Sequence, residues 1–238
     1  MAAESQDVWL IVPTFNEAPN IAPLLDAVRE KLPPGGRILI VDDSSPDGSG
    51  QIADELAAAH DDVEVLHRPR KQGLGPAYLD GFRRALDGGA ELVIQMDADF
   101  SHDPDYLPRL IDTAHNADLV LGSRYVPGGG VTEWGPIRRL ISRGGSTYAR
   151  AWLGVPVNDL TGGFKCWRRE ALAAIDFDGV DSKGYAFQVE MTYRAIEAGF
   201  EVAEVPIVFR DRRVGNSKMT RGIVAEAIWR VPALRFRA

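Results

Sequence analysis

The sequence predicts an α/β fold with a mostly parallel central sheet flanked by helices, and three observations predict it. Short β-branched apolar runs alternate with amphipathic stretches, the βαβα rhythm of a parallel sheet. Polar, Asp-rich and Gly-rich segments fall at the C-terminal ends of the predicted strands, where open α/β sheets bind ligands. The chain has 238 residues, 45% apolar and 26% charged, with no internal repeat or low-complexity linker, which fits one globular domain with a two- or three-layer core.

Taken in order, the predicted elements are the strand VWLIVP, a helix from about Ala18 to Lys31, the strand RILIVDD, a helix after Asp47, the strand VEVLHR, a helix near Pro76 to Leu86, and the strand ELVIQMD. A helix around Pro104 to Ala114 and the strand DLVLGSRY extend the pattern. Between Val126 and Ile137 the glycine-rich PGGGVTEWGP has no periodicity and is expected to be a mobile loop. A basic helix from about Ile137 to Leu153, a turn carrying DLTGGFKCW, a helix around Phe187 to Ala198 and the strand EVAEVPIVF complete a domain expected to span residues 1–218. Residues 219–238 mix apolar and aromatic residues with arginines, and read either as an interfacial segment or as a helix packed on the domain, with Pro232 interrupting it.

Charge and cysteine content narrow the classes. The net charge is −7, yet from Ile207 onward there are eight Arg or Lys against two Asp or Glu. An acidic body argues against nucleic-acid binding, and a basic end suits an anionic surface such as a phospholipid leaflet. The single cysteine, Cys166, excludes an internal disulfide and reads as a structural thiol, so a reducing compartment is expected. The opening MAAESQDVWLIVP lacks the basic and apolar regions of a secretory signal, and no apolar run reaches the about 18 residues a membrane span requires. The expected place is the cytoplasm, peripheral to a membrane.

The sharpest chemical signal is QMDADFSHDP, with Asp97 and Asp99 just past an apolar strand. Carboxylates one residue apart at a strand end point the same way and can hold a hard divalent cation against a diphosphate. A capped turn, with Ser101 or Asp103 starting the Pro104 helix, explains the same residues structurally, and both can hold together. Two further strand ends, Pro13 to Glu17 and Val41 to Ser49, offer Glu17 and Asp42 to a nucleobase and ribose, although acidic residues there also serve as helix caps, Asp47 and Ser44 foremost. In HRPRKQGLGPAY, Arg68, Arg70 and Lys71 precede a glycine-spaced turn and read either as diphosphate contacts or as a solvated rim, with His67 structural. A cationic set follows: Arg124 in GSRY, Arg138, Arg139, Ser142 and Arg143 on the basic helix, and Arg212, Arg213 and Lys218 near the C-terminus. Arg138 and Ser142 are four apart and share a helix face. Such a set can clamp a second phosphate, while arginines on a helix face are also commonly solvated. Asp159 in DLTGGFK reads as a sugar-binding or assisting carboxylate, or as the cap of its own turn; Gln188 and Glu190 are weaker sugar candidates.

In order along the chain, VPTFNE, VDDSSPDGS, MDADFSHDP, GSRY, RRLISRG, DLTGGFKCW, KGYAFQVEM and EVPIVFRDRRVGNSK resemble the polyprenol-phosphate (dolichol-phosphate) mannose synthases of the family 2 glycosyltransferases, from about Trp9 to Lys218. The resemblance implies a GT-A fold and transfer of mannose from GDP-mannose to a polyprenyl phosphate with Mg²⁺ or Mn²⁺. It implies that Pro13, Glu17 and Asp42 border the guanosine, that Asp97 and Asp99 serve ribose, diphosphate and metal, and that Arg124, Arg138, Ser142 and Arg212 receive the lipid phosphate; the cationic pattern itself adds Lys71 to the nucleotide set and Lys218 to the acceptor-phosphate set. Two departures stand out. Some relatives place a Gln metal ligand where this chain has Ser101, and some continue into transmembrane helices, so membrane contact is expected from the amphipathic end, a separate membrane-anchoring protein or a removed tail. A UDP-sugar or polysaccharide relative with the same donor domain, and an inactive nucleotide-binding scaffold at a membrane, remain open at this point.

Overall fold

The computed structural model describes residues 7–182, 184–210 and 229–236. Its elements are β1 (Val8–Thr14), α1 (Ala18–Arg29), β2 (Arg37–Asp42), α2 (Ser49–Ala59), β3 (Val63–His67), α3 (Leu74–Asp87), β4 (Leu92–Gln95), a 3₁₀ turn (Pro104–Tyr106) leading into α4 (Leu107–Thr113), β5 (Leu119–Ser123), β6 (Gly130–Val131), α5 (Pro136–Leu153), β7 (Lys165–Arg168), α6 (Arg169–Ala173), α7 (Gly184–Glu197), β8 (Val202–Pro206) and β9 (Val208–Phe209). Seven strands form one sheet in the order β3-β2-β1-β4-β7-β5-β8, parallel except for β7, which runs antiparallel to both β4 and β5.

Both faces of the sheet are covered. Trp9, Ile11, Leu39 and Val41 pack into the layer that holds Tyr78 and Phe82 of α3 and Phe187 and Met191 of α7. Their neighbours Val8, Leu10, Val12, Ile38 and Ile40 pack into the opposite layer with Ile21, Leu24, Leu25 and Val28 of α1. Successive strand residues thus serve opposite layers, which is why these strands read as unbroken apolar runs. On α3, a Cβ on Gly81 would come within 2.6 Å of Ile11 Cγ2, so the glycine sets how closely that helix lies on the sheet.

The strand order places the reaction edge. From β1 the chain steps outward through β2 and β3, then returns to add β4 on the other side of β1. The C-terminal ends of β1 and β4 therefore flank a point where the winding reverses, the position at which open α/β sheets bind ligands.

Three readings of the sequence need correction. The segment FKCWR is not turn but includes β7, an antiparallel strand inserted between β4 and β5, followed by the short α6. The glycine-rich stretch after Val126 is not wholly irregular, because Gly130–Val131 pairs with Val208–Phe209 as a small parallel ladder. Two helices begin earlier than their periodicity suggested, α3 at Leu74 and α7 at Gly184. Near the C-terminus, residues 229–234 are helical; Val231 and Leu234 pack into the core layer beneath α3 and α7, while Trp229 and Phe236 are exposed. Arg212, Arg213 and Lys218 lie outside the described residues.

Candidate active site

The ends of β1, β2 and β3 build one rim. Asp42 is buried at the end of β2, where Oδ2 accepts from Ser45 N at 3.2 Å and Oδ1 lies 3.5 Å from Thr14 Oγ1. Pro13 pairs in register with Val41 beside it. Glu17 closes the turn into α1: its backbone N donates to Ser49 Oγ at 2.9 Å, and its carboxylate accepts from Asn20 Nδ2 at 2.8 Å. Asp47 caps both neighbouring helices, accepting from Ala18 N at 3.1 Å and from Ser49 N at 3.0 Å. Ser44 is no cap; its hydroxyl donates to Arg68 O at 2.6 Å. Lys71 holds its ammonium 3.6 Å above the Phe15 ring, facing the same rim. Arg68 is neither solvated nor turned to a ligand, because it is buried and paired with Asp43, Asp80 and Gln72.

Backbone strain collects along this edge. Asn16, Ser44 and Phe100 all adopt left-handed conformations, at φ 59°, 54° and 60°, just beyond the ends of β1, β2 and β4. An aromatic residue there is an outlier that the surroundings must enforce, and Phe100 sits between Asp99 and Ser101.

Beyond β4, Asp97 Oδ1 accepts from Tyr78 Oη at 3.1 Å, and Asp99 Oδ1 accepts from Ser101 N at 3.1 Å. Burial, then the Asp97 charge, push the Tyr78 phenol well above its ordinary value, so it stays a donor. His102 accepts from Asp97 N at Nδ1, 3.2 Å away. Burial lowers its pKa although Asp97 and Asp99 pull the other way, which keeps the ring neutral, as an accepting Nδ1 requires. The ring stacks on Phe164 at 4.9 Å and meets the edge of Phe209 at 5.6 Å.

Phe209 joins the acidic side to the basic side. The Arg124 guanidinium lies 5.5 Å from Phe209, 5.7 Å from Trp134 and 5.2 Å from Tyr125, and Arg138 covers Trp134 at 4.2 Å. Ser142 accepts from Tyr125 Oη at 2.7 Å. The structure thus brings Asp97, Asp99, Arg124, Arg138 and Ser142 around one aromatic cluster of His102, Phe209, Trp134 and Tyr125. No pattern in the sequence marks these aromatics or Tyr78; the histidine within SHDP and the lone tryptophan of the glycine-rich loop are the signals it offers.

Asp159 takes a different place from the one expected. It is fully buried, and Arg124 donates to it three times, from Nε at 2.7 Å, Nη2 at 2.6 Å and the backbone N at 2.9 Å. Arg124 Nη2 also donates to Thr161 Oγ1 at 2.9 Å, and Ser146 Oγ lies 3.0 Å from that hydroxyl. Burial alone would raise the Asp159 carboxyl, but the charge and hydrogen bonds of Arg124 outweigh it and hold the carboxyl below the usual range. Asp159 therefore aims Arg124 and is not available to a sugar. Glu190 is corrected likewise: it is buried, pairs with Arg194 at 2.8 Å and accepts from Ser182 N.

Residues 9–176 match the family described as glycosyl transferase family 2. The chain is 48% identical over 221 residues to an undecaprenyl-phosphate mannosyltransferase of Micrococcus luteus, covering 93% of this chain and 90% of that one. It is 49% identical over 230 residues to a polyprenol monophosphomannose synthase of Mycolicibacterium smegmatis, covering 95% and 86%. The chain belongs to glycosyltransferase family 2. The fold of this glycosyltransferase is the GT-A type: a glucosyl-3-phosphoglycerate synthase of Mycobacterium tuberculosis, solved with Mn²⁺ and UDP-glucose, superimposes with a TM-score of 0.70 at 18% identity, covering 98% of this chain and 79% of that one.

Whether the residues of this family 2 enzyme suit a divalent cation can be judged from the donor set. Asp97 and Asp99 supply hard oxygens, and the buried Ser101 hydroxyl beside them makes no hydrogen bond among the described residues. Among those residues no group of three His, Cys, Asp or Glu is placed to hold a metal alone. The set fits a cation that completes its shell with diphosphate and water oxygens, the usual habit of Mg²⁺. Gln188 is the one sugar candidate left facing the site. Its Oε1 lies 3.5 Å from Gln95 Nε2, while its buried Nε2 makes no hydrogen bond among the described residues. That amide lies beside Gly163, where a Cβ would stand 3.3 Å from it and 3.9 Å from Asp97 Oδ1.

Proposed function

We propose that this glycosyltransferase moves mannose from GDP-mannose onto a polyprenyl monophosphate, inverting the anomeric carbon and giving polyprenyl phosphomannose. The observation that carries the reading is one shared cluster: the charges of Asp97 and Asp99 bear on the buried His102 ring, which meets Phe209, and Arg124 and Arg138 lie over Phe209 and Trp134. A donor diphosphate and an acceptor phosphate are both anions, and such an arrangement answers each with its own partner. The choice of mannose and of a lipid phosphate is supported by the names of the two relatives at 48% and 49% identity. A membrane-embedded acceptor and a water-soluble donor suit an enzyme that works at the periphery of a membrane; in this reading it does so on the cytoplasmic face, with or without a separate anchoring protein.

In this reading Pro13, Glu17, Asp42 and Lys71 border the nucleotide, and Asp97, Asp99 and Ser101 hold Mg²⁺ or Mn²⁺ against the diphosphate. When bound, the cation stabilises charge on the departing nucleotide diphosphate. Arg124, Arg138 and Ser142, joined by Arg212 and Lys218 from outside the described residues, take the acceptor phosphate and line it up behind the anomeric carbon. A phosphate monoester has its second pKa at about 6, so the nucleophile arrives largely ionised and needs no protein base. This frees Asp159 from catalysis: it keeps the Arg124 fork fixed before substrate arrives. The domain of residues 1–218 carries all of these roles. The loop Gly128 to Gly130, beside Arg124, excludes water from the donor.

Incubation with radiolabelled GDP-mannose, Mn²⁺ and a polyprenyl phosphate, followed by organic extraction, should move label into the solvent phase. Asp99→Ala and Arg124→Ala should each lower that transfer by about a thousandfold. Wild-type transfer by Asp99→Ala, or preference for a UDP-sugar over GDP-mannose, would overturn the assignment.

A further inference from the structure

Helix α5 is built inside out over its first turns. A helix on the surface of a domain ordinarily turns its apolar stripe inward, as α1 does with Ile21, Leu24, Leu25 and Val28. On α5, Arg138, Ser142 and Ser146 face inward, against Trp134, Tyr125 and Thr161. The outward positions are Ile137, Leu140 and Ile141, which are 73%, 74% and 46% exposed. Their spacing by three and four residues makes them one contiguous patch rather than scattered surface residues. Of the seven large apolar or aromatic side chains exposed among the described residues, four belong to α5, the fourth being Trp152 at 44%.

Charge says what covers this face. The helix carries four arginines and no acidic residue, PIRRLISRGGSTYARAWL, within a chain of net charge −7. Arg139 and Arg143, both exposed and four residues apart, run alongside the apolar patch. Exposed apolar side chains edged by arginine are the makings of a helix that lies in the interface of an anionic bilayer, apolar face among the acyl chains and guanidinium groups among the headgroups.

We infer that the outward face of α5, Ile137, Leu140 and Ile141 edged by Arg139 and Arg143, seats the enzyme on an anionic phospholipid leaflet. The inference rests on the lipid-acceptor reading and deepens it. The same helix turns Arg138 and Ser142 toward the site, so a phosphate on a lipid in that leaflet reaches them around a single helix. No described helix is long and apolar enough to cross a membrane, so among the described residues contact of this kind is made from the surface.

The test uses the full chain with Leu140→Cys carrying an environment-sensitive dye. Labelling is selective because the one native thiol, Cys166, is buried and its pKa is pushed up to about 12 by that burial. Vesicles of mixed phosphatidylglycerol and phosphatidylcholine should shift the dye to the blue, salt should weaken the shift, and phosphatidylcholine alone should give little. The same dye at Asp61→Cys, in the exposed turn entering the edge strand β3, should not respond. In sedimentation, the unlabelled double variant Ile137→Asn/Leu140→Asn should bind the anionic vesicles about a hundredfold more weakly. It should still mannosylate a water-soluble short-chain isoprenyl phosphate at the wild-type rate. An unmoved dye at position 140 with vesicles bound, an equal response at position 61, or wild-type enzyme that ignores lipid and requires a protein on this face would each overturn the inference. So would loss of a wild-type dimer in the double variant. Failure of the wild type on the short-chain acceptor would instead count against the functional reading, leaving the dye result to stand by itself.

Discussion

At the residue scale, the pairing of Arg124 with Asp159 governs how the site is prepared. Arg124 comes off the end of β5 with its guanidinium already held in a bidentate bond, so the fork loses no rotamer freedom when an anion arrives. Its neighbours divide the labour: Thr161 shares Nη2, and the rings of Tyr125, Trp134 and Phe209 line the cation. Removing the charge of Asp159 while keeping its shape leaves a buried guanidinium without its counter-ion, a change that in other proteins costs about 3–5 kcal/mol. Asp159→Asn should therefore lower the urea-unfolding free energy by about that amount and also reduce transfer. Asp159→Glu, which keeps the charge, should recover part of the activity. Wild-type stability in Asp159→Asn would mean that Arg124 draws its support from the aromatic rings instead. Spacing along the chain could not reveal this pair, since the partners are 35 residues apart and meet only when the end of β5 and the turn before β7 come together.

At the element scale, the segment between β5 and α5 couples the acidic and basic halves of the site. Gly129 passes so close to the end of β5 that a Cβ would stand 2.5 Å from Ser123 O and 3.0 Å from Arg124 C. Both of those atoms belong to backbone, which cannot step aside as a flexible side chain can. Gly129→Ala should consequently push β6 off its ladder with β9, costing about 1–3 kcal/mol and weakening transfer more than nucleotide binding. Calorimetric titration of GDP with Mn²⁺ beside a transfer assay would separate the two effects; equal losses in both would place the damage on the donor side. The fold outside this region was legible because β1, β2, β4 and β5 are buried on both faces and read as unbroken apolar runs. Strand β7 escaped because it is four residues long and carries Lys165 where an apolar residue would be expected. Strands β6 and β9, two residues each, have no pattern to read. The site divides in the same way. Asp97, Asp99 and Arg124 announce themselves by following apolar strands, whereas the rings of Trp134 and Phe209 acquire meaning only through packing.

At the scale of the whole molecule, the conspicuous anomaly is a lysine in the middle of the sheet. Lys165 is fully buried on β7 between β4 and β5, and its Nζ donates to Gln188 O at 2.7 Å and Thr192 Oγ1 at 2.9 Å, fastening α7 to the sheet. Burial lowers its pKa from 10.5 to about 7, and the distant Asp159 charge only partly opposes this. Between those two values the unfolded chain binds a proton that the folded chain does not, so this residue makes stability rise with pH from about 7 toward 10.5. Below that window both states are protonated, and the folded protein bears the full cost of a buried ammonium. Lys165→Met removes the cost without stranding either acceptor, because Thr192 Oγ1 already donates to Gln188 O at 3.1 Å. The variant should be more stable than wild type by about 1–3 kcal/mol at pH 6. That advantage should shrink by about 1 kcal/mol per pH unit above pH 7. Urea titrations of both proteins from pH 6 to about 9 check it, since every other titrating group cancels in the difference. A gap that stays constant across the range would show that the amine does not change its charge there. In that case the fastening of α7, and with it the placement of Gln188 beside Gly163, would rest on an ammonium ion rather than on a neutral amine.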